Sequence, residues 1–273
     1  MIQTYRYNTL TWVDIQSPTT DDIAAILRDY RLHPLVAEEV LSPFSKTKIE
    51  RYDDYLYAVL HFPVRVRAEG GGFITEEKEI DFILGKNYVI SVTYGAVEPL
   101  QNFAKVFEVN SIVDKNDSKS VHRHAGFVFY HMLKRLYGSV VNDLQAIEKS
   151  LYLAEKKIFA GEEKVIVRLL SELNRELIDI KHGLTGHRDV LNYFGQLQFF
   201  GDDFAYYCSD LQTEYQKANE FTLANKDLLI ELRETNDSLL TTKQNETMKF
   251  FTIIAFVTFP LSLITDIFSI PSE

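Results

Sequence analysis

Apolar residues recur every three or four positions along most of the second half of the chain, which is the spacing of an amphipathic helix. Gly161 interrupts this pattern, and a second helix is predicted from about residue 163 to residue 194, ending near Gly195. Before Gly161, the pattern predicts a first long helix whose apolar stripe consists of Val128, Met132, Leu136, Val140, Leu144, Ile147, Leu151 and Ile158.

A third helix begins near Asp202 and has no obvious end before the C-terminal region. Neither glycine nor proline occurs between Gly201 and Pro260, so one helix is predicted from about residue 203 to about residue 268. Such a helix is on the order of 100 Å long, and a small monomer cannot cover its stripe, which favours a bundle in a symmetric oligomer. The stripe lies at Tyr207, Leu211, Tyr215, Ala218, Phe221, Leu228, Leu232 and Leu239.

The first 115 or so residues have shorter patterns, which are typical of an α/β region. Strands are predicted at 12–15, 55–62, 79–84 and 88–93, with a turn at 86–87 and a loop at 70–72. Residues 17–22 have the hydroxyl and carboxylate side chains of a helix start, and the helix would bury Ile23, Ile26 and Leu27. After a break at 32–34, a second helix is predicted through Val36, Val40 and Leu41.

Residues 250–264 form a run without any charge, and the wider segment 248–270 contains one acid, Asp266. About 20 such residues suffice to span a membrane. A buried core helix is the alternative, but this segment is apolar on all faces and lies at the end of the chain. We therefore predict a transmembrane helix.

One face of the predicted transmembrane helix is partly polar. Its members follow one another at steps of three and four: Asn245, Met248, Thr252, Ala255, Phe259, Ser262 and Asp266. In lipid, polar groups turn toward a bundle interior or a water path, so the pattern is consistent with a pore lined by amide, hydroxyl and apolar rings. A single anchor helix, whose hydroxyls bond their own backbone, is the alternative.

The resulting fold class is α+β: an N-terminal α/β domain, followed by long stalk helices that run into a transmembrane helix. The predicted domains are the α/β domain at 1–116, the helical stalk at 117–247 and the pore-type helix at 248–270.

Charge and composition exclude several function classes. The chain has 273 residues, 46% of them hydrophobic, and 39 acids against 29 basic residues give a net charge of −10. A nucleic-acid partner is not expected, because a phosphate binder needs a net basic face. The charge is compatible with cations as ligands, although solubility alone also explains an acidic surface.

No catalytic or organic-cofactor site is predicted. Cys208 is the only cysteine, which rules out an internal disulfide and fits a reducing compartment, and no Cys/His cluster has zinc spacing. His122 and His124 would point apart on a helix, and residues 1–13 lack the apolar centre of a signal peptide. No nucleophile–base pair or glycine-rich phosphate loop stands out, so the chain is not expected to be an enzyme.

Several segments resemble the CorA family of magnesium and cobalt transporters. They are WVDIQSPTTDDI, LHPLVAEEVLSPFSKTKIERYDDYLYAVL, EIDFILGKNYVISV, HRDVLNYF and TTKQNETMKFFTIIAFVTFPLSLITDIF, and the resemblance covers nearly the whole chain. It implies a homopentamer in the cell (inner) membrane, in contact with lipid, with the N-terminal domain in the cytoplasm. It also implies divalent cations as partners, with Mg²⁺ as both the substrate and a regulatory ligand.

The resemblance assigns roles to individual residues. Asn245, Met248, Phe259 and Ser262 match the family's pore-lining positions, and the helix pattern adds Thr252 and Asp266. The acids that match the family's regulatory magnesium site are Glu38, Glu39 and Asp210, and hard oxygen ligands of this kind can hold Mg²⁺ through water. A solvated helix face is the alternative for Glu38 and Glu39.

Two departures from the family pattern leave the function open. The family's pore helix is followed by Gly-Met-Asn, where this sequence has Ser269, Ile270 and Pro271. The chain also stops at Glu273 before any second membrane helix, which indicates either truncation or divergence. A magnesium channel is the leading hypothesis. Zinc or cobalt transport is one alternative, and a membrane-anchored sensor or scaffold that does not conduct is the other.

Overall fold

The computed structural model describes residues 2–43, 46–67, 73–113 and 124–269, so the predicted loop at 70–72 lies outside the described residues. Two compact units make up the chain. One consists of Met1–Glu148 and Arg175–Asn225, and the other of Lys149–Asn174 and Lys226–Glu273.

The first unit contains a mixed sheet in which the described residues form six strands. The strands are β1 (Ile2–Tyr7), β2 (Leu10–Gln16), β3 (Lys48–Arg51), β4 (Leu56–Arg67), β5 (Phe73–Leu84) and β6 (Tyr88–Thr93). Their order across the sheet is β1-β2-β6-β5-β4-β3, with β2 and β6 parallel and every other pair antiparallel. The predicted turn between β5 and β6 is confirmed by the bond from Gly85 N–H to the Tyr88 carbonyl, 2.9 Å long.

The two edge strands, β1 and β3, were not predicted. Most of their side chains are exposed or only half-buried. An edge strand is held by backbone hydrogen bonds to one neighbour, and that pairing leaves little trace in the pattern of apolar residues.

Each face of the sheet is covered by helices. On one face, β2 and β4 to β6 pack against α1 (Thr20–Tyr30) and α2 (Pro34–Leu41). The opposite face carries Trp12, Phe62 and Phe82, whose rings lie 5.0–5.4 Å from those of Phe103, Tyr137 and Phe129. These partners belong to α3 (Glu98–Val113) and α4 (Ala125–Phe159).

The predicted start of α1 is confirmed in detail. Thr19 is the N-cap: its hydroxyl accepts from Asp22 N–H at 3.2 Å, and the Asp22 carboxylate accepts from Thr19 N–H at 3.0 Å. This reciprocal pair is a capping box, which satisfies two backbone donors that a helix start leaves open. Ile23 and Ile26 are buried as predicted, and Leu27 packs partly buried against the same core.

The prediction of a single helix over 163–194 is wrong. Two helices occupy this stretch, α5 (Glu163–Gly183) and α6 (His187–Gln196). Gly186 has φ +82°, a left-handed conformation that favours glycine. A Cβ on Gly183 would lie 2.9 Å from Pro63 Cδ, so the absence of a side chain lets the end of α5 approach β4 closely.

The break between α5 and α6 brings a histidine into the core. His187 is fully buried, its Nε2–H donates to the His61 carbonyl at 2.8 Å, and its Nδ1 accepts from the Tyr137 hydroxyl at 2.8 Å. Burial lowers the pKa of His187 to about 4, so the ring stays neutral in this position.

The prediction of one uninterrupted third helix is confirmed. A short 3₁₀ turn, Asp202–Phe204, leads into α7, which runs for 65 residues from Ala205 to Ser269 with Pro260 inside it. By its rise per residue, α7 is about 100 Å long.

Ala218 and Leu232 are buried as predicted, but between them the inner face of α7 differs from the predicted stripe. The side chains that are buried after Ala218 are Thr222, Asn225, Leu229, Leu232 and Asn236, so the inner face is rotated by about one residue relative to Phe221 and Leu228. Two of the polar members donate hydrogen bonds to backbone carbonyls. The Thr222 hydroxyl donates to the Ala218 carbonyl of its own helix at 2.8 Å, and Asn225 Nδ2 donates to the Leu144 carbonyl of α4 at 3.0 Å. Two of the buried polar side chains are therefore satisfied by backbone carbonyls.

The second unit consists of the end of α4, the start of α5 and the rest of α7. Its buried side chains include Leu151, Ile158, Leu170, Leu229 and Leu232. Near the turn between α4 and α5, the Lys243 ammonium lies 2.7 Å from the buried Glu163 carboxylate.

Candidate functional site

The C-terminal part of α7 has the character of a membrane span. Its most apolar 18-residue window has a mean hydropathy of 1.8, and none of that window is buried. The side chains of Phe256 and Phe259 are 83% and 80% exposed. A core helix of a soluble protein would be mostly covered, so this segment needs a lipid or protein environment that the single chain does not supply.

The candidate pore residues lie on one face of α7. Successive helical residues advance by about 100°, which places all seven positions from Asn245 to Asp266 within an arc of about 100°. Every one of these side chains is exposed in the single chain. The predicted stripe is therefore available to neighbouring helices.

Hydroxyl groups of this segment bond their own backbone. Thr252 Oγ1 donates to the Met248 carbonyl at 2.9 Å, and Ser262 Oγ donates to the Thr258 carbonyl at 3.1 Å. The anchor-helix alternative expects such bonds. A hydroxyl that donates its proton keeps its lone pairs, however, so each oxygen can still accept from water or face a cation.

The positions that replace Gly-Met-Asn fall at the edge of the described residues. Ser269 is the last residue of α7, while Ile270 and Pro271 lie outside the part of the chain that the structure describes.

Glu38 and Glu39 are placed by α2. His33 caps the start of this helix, and Pro34 occupies its first position, where the missing N–H has no helical partner to lose. Glu38 is exposed, whereas Glu39 is half-buried and pairs with Lys48, whose Nζ lies 2.7 Å and 2.8 Å from the two carboxylate oxygens. The same ammonium lies 2.9 Å from Glu50. Burial opposes the charge on Lys48, but the bonds to both carboxylates prevail and raise its pKa.

Asp210 lies on the first part of α7, where it faces α4. Its carboxylate accepts from Lys134 Nζ at 2.7 Å and from the Tyr130 hydroxyl at 2.6 Å. These two bonds, the one from Lys134 first, lower the pKa of Asp210. Lys134 also lies 3.6 Å from Glu214, so one ammonium serves two acids of α7.

The single chain does not join the predicted regulatory acids to one another. Among the described residues, no hydrogen bond or ion pair links Asp210 to Glu38 or Glu39, and no group of three or more His, Cys, Asp and Glu side chains is arranged to hold a metal ion. The sequence offered no basic partner for Glu39 or Asp210, but the structure supplies Lys48 and Lys134. Lys134 is 76 positions from Asp210, so only the fold could bring this pair together.

A buried acid that the sequence reasoning missed fastens α2 to the sheet. Asp81 of β5 is fully buried, and its Oδ2 lies 2.5 Å from the Tyr94 hydroxyl. The same hydroxyl lies 2.8 Å from the carbonyl of Val40 in α2. Tyr94 has one proton and the carbonyl can only accept, so both contacts are satisfied together when Asp81 carries a proton and donates it to Tyr94.

The surroundings of Asp81 disfavour its ionised form. Burial is the main cause that raises its pKa to about 7. The hydrogen bond that Tyr94 can donate to the ionised carboxylate opposes this only in part. Glu79 and Glu39 raise the pKa further through their charges, whereas His61 lowers it. The remaining oxygen, Oδ1, is buried and has no hydrogen-bond partner among the described residues. An acid inside the run 80–84, whose other four residues are apolar, is the sequence signal that could have found it.

Comparisons with known proteins agree with the resemblance. A sequence profile of the family described as "CorA-like Mg2+ transporter protein" matches residues 7–270. The "Cobalt/magnesium transport protein CorA" of Thermotoga maritima is 23% identical over 270 residues, which are 97% of this chain and 74% of that protein.

Solved structures share the fold. The CorA magnesium transporter from Methanocaldococcus jannaschii matches with a TM-score of 0.80 at 17% identity, over 99% of this chain and 83% of that chain. The full-length CmaX protein matches with a TM-score of 0.73 at 16% identity, over 97% of this chain and 78% of that chain. The predicted fold class, an α/β domain followed by long helices and an apolar span, is confirmed.

Replacing Asp81 with Asn should remove one component of the pH dependence of stability. The pKa of Asp81 is raised in the folded state, so its contribution is complete below about pH 4 and is lost as the pH rises toward 7. The Asn variant cannot ionise and should not show that loss. Trp12 is the only tryptophan and is buried in the same sheet, so its fluorescence during heating measures the unfolding midpoint.

The difference in midpoint between the Asp81→Asn variant and the native chain should grow in favour of the variant between pH 4 and pH 7 and then level off. Asp53→Asn, at an exposed acid, is the control and should run parallel to the native chain. Parallel profiles for Asp81→Asn as well would show that Asp81 does not titrate in this range.

Proposed function

Because the chain belongs to the CorA-like Mg2+ transporter protein family, we propose that it is a subunit of a divalent-cation channel with Mg²⁺ as substrate. The observation that supports this proposal most is that α7 continues without interruption into an exposed apolar segment with a partly polar stripe. Such a helix can line a water-filled path only beside other helices.

The proposed assembly is a homopentamer in the cell (inner) membrane, with the α/β domain in the cytoplasm. The family resemblance supplies the number five. The orientation is supported by charge, because Lys243 and Lys249 precede the apolar run while Asp266 lies at its other end. Lysines near a span favour the cytoplasmic side.

In the proposed pore, the stripe of α7 faces the central axis. Asn245 and Met248 form its cytoplasmic end, Thr252, Phe259 and Ser262 its middle, and Asp266 its outer end. Hydroxyl and amide oxygens replace part of the water around the ion, and a ring of carboxylates at the outer end would concentrate cations there.

The proposed gate is a cation contact between neighbouring subunits, made by Glu38 and Glu39 of one and Asp210 of the next. Each of Glu39 and Asp210 already has an ammonium group at 2.7 Å within its own chain. These lysines reduce the repulsion between the acids and compete with an added cation. A weak, water-mediated response at millimolar Mg²⁺ therefore fits these residues better than tight binding.

A membrane-anchored sensor or scaffold remains the second candidate function. Ser269, Ile270 and Pro271 at the positions of Gly-Met-Asn favour it, because the amide that would meet a hydrated ion is missing. Zinc or cobalt as the transported ion is a further alternative, since the Thermotoga maritima relative is named for cobalt as well as magnesium.

The first test is the size of the assembly. Light scattering of the full chain purified in mild detergent should give a protein mass of five times the 31.6-kDa chain. The apolar face of α7 and its stripe need partners, which is the physical reason for association. A uniform population of monomers would contradict the proposal.

The second test is ion flux. Vesicles that contain the full chain and a Mg²⁺-sensitive dye should take up Mg²⁺, and Thr252→Val should slow this uptake by about fivefold, the factor that about 1 kcal/mol of lost hydrogen bonding gives. Parallel assays with Co²⁺ and Zn²⁺ identify the ion.

Thr258→Val is the matched control for Thr252→Val. Both hydroxyls bond the carbonyl four residues earlier, but Thr258 lies about 120° around the helix from Thr252. Its replacement should leave uptake unchanged. An intact assembly that passes none of these ions would favour the sensor or scaffold function.

The third test concerns the gate. Protection of the native assembly from protease should rise as Mg²⁺ reaches millimolar levels, and the double variant Glu39→Ala, Asp210→Ala should lose that rise. Lys134→Met should shift the rise to lower Mg²⁺ concentrations, because Asp210 then lacks its own counter-charge.

Glu172→Ala serves as the control for the gate test, since the one ion pair that this exposed acid makes with the described residues is with Arg168, four residues earlier on α5. It should respond to Mg²⁺ as the native chain does. A full Mg²⁺ response in the double variant would place the site elsewhere and leave Glu39 and Asp210 as solvated acids.

A further inference from the structure

A cavity of about 780 Å³ lies in the first unit between α3, α4 and the turn that joins β1 and β2. This volume is within the range of about 300–1,000 Å³ that small-molecule sites occupy. None of the candidate pore residues or regulatory acids lines it, although Lys134, which pairs with the regulatory acid Asp210, does.

One side of the cavity is aromatic. Phe103 and Phe107 of α3 and Phe127 of α4 line it, together with Tyr7. The rings of Phe103 and Phe107 also pack against the ring of Trp12, at centroid distances of 5.4 Å and 5.7 Å. Fixed rings of this kind offer a flat surface on which another ring can stack.

The floor of the cavity contains a glycine that packing does not explain. Gly138 lies within the 35-residue helix α4, where glycine costs about 1 kcal/mol relative to alanine. A helical glycine often permits a close approach, as Gly183 does to Pro63. At Gly138, however, apart from its chain neighbours and the backbone of its own helix, no heavy atom of the described residues lies within 4 Å of an added Cβ. The missing side chain instead keeps the cavity open.

One part of the cavity wall is basic. His131, Lys134 and Arg135 line it from consecutive turns of α4. Lys134 is shared with Asp210, but Arg135 is exposed, and among the described residues no carboxylate lies within 4 Å of its guanidinium group. Glu98 lines the cavity from α3, where its carboxylate lies 3.5 Å from the amide nitrogen of Asn102. A guanidinium group without a carboxylate partner suits a carboxylate, sulfonate or phosphate group.

We propose that this cavity binds a small organic anion with a flat aromatic ring. The ring stacks on the aromatic side, above Gly138, and the anionic group meets Arg135 and the nearby Lys134. Ser139 and Asn142, which line the cavity from the next turns of α4, offer hydrogen bonds to polar groups of the ligand. The proposal does not depend on whether the chain conducts ions.

The test is calorimetric titration of the full chain in detergent with 2-naphthyl phosphate, with empty micelles as the blank. Saturable binding with a Kd of about 1 mM or tighter is expected, and inorganic phosphate alone should bind at least about tenfold more weakly. Arg135→Gln should weaken binding of 2-naphthyl phosphate by about tenfold, as expected for the loss of one charge-assisted bond.

Two substitutions at Gly138 separate filling of the cavity from damage to the helix. Gly138→Leu should abolish binding, whereas Gly138→Ala, which adds a single methyl group in open space, should keep the Kd within about twofold. Circular dichroism measures the helix content of both variants and shows whether they fold. If Gly138→Leu does not fold, the Arg135→Gln measurement still tests the proposal.

Absence of saturable binding, or unchanged binding in both Arg135→Gln and Gly138→Leu, would overturn the proposal. Absence of binding together with a changed assembly mass in Gly138→Leu would also overturn it, because a second copy of the chain would then be the occupant of the cavity.

Discussion

The backbone of α7 has to satisfy its own hydrogen bonds from Ala205 to Ser269, because no other segment among the described residues covers its last third. Only an unbroken helix meets that requirement, and the absence of glycine favours it, although Pro260 has no N–H and removes the one bond to the Phe256 carbonyl. The hydroxyls of Thr252, Thr258 and Ser262 follow the same constraint, since each donates to a carbonyl one turn earlier. What remains exposed is a surface of apolar side chains and acceptor oxygens, and its pairing with other helices is left to the assembly.

The acids that the family resemblance singles out are paired with lysines of the same chain. Glu39 lies against Lys48, and Asp210 lies against Lys134. A carboxylate that is already paired with an ammonium group binds a dilute cation more weakly than an unpaired one. The same pairing reduces the repulsion between the acids when the cation is absent. The position of Glu39 also depends on α2, whose last turn is fastened through the Val40 carbonyl to Tyr94 and the buried Asp81.

Much of the fold could be predicted because it follows from periodicity. The long helices, the central strands and the exposed face of α7 all have an apolar pattern that repeats with the geometry of the element. Features that depend on contacts between distant segments could not be predicted in this way. The Lys134–Asp210 pair, the Gly183 approach to Pro63 and the polar inner face at Thr222 and Asn225 all depend on which elements meet. For the candidate site, the sequence therefore indicated which residues could face a cation and not which ones already had partners.

The bonds that tie α7 to its neighbours also restrict how it can move. Asn225 bonds the Leu144 carbonyl of α4 in the first unit, and in the second unit Lys243 pairs with Glu163 at the start of α5. Sliding α7 along its axis by one turn, about 5.4 Å, would break both attachments and bury an amide without a partner. Tilting, bending or small rotations about the axis can preserve them. Any signal that passes along this helix should therefore be a change of angle and not a piston-like displacement along its axis.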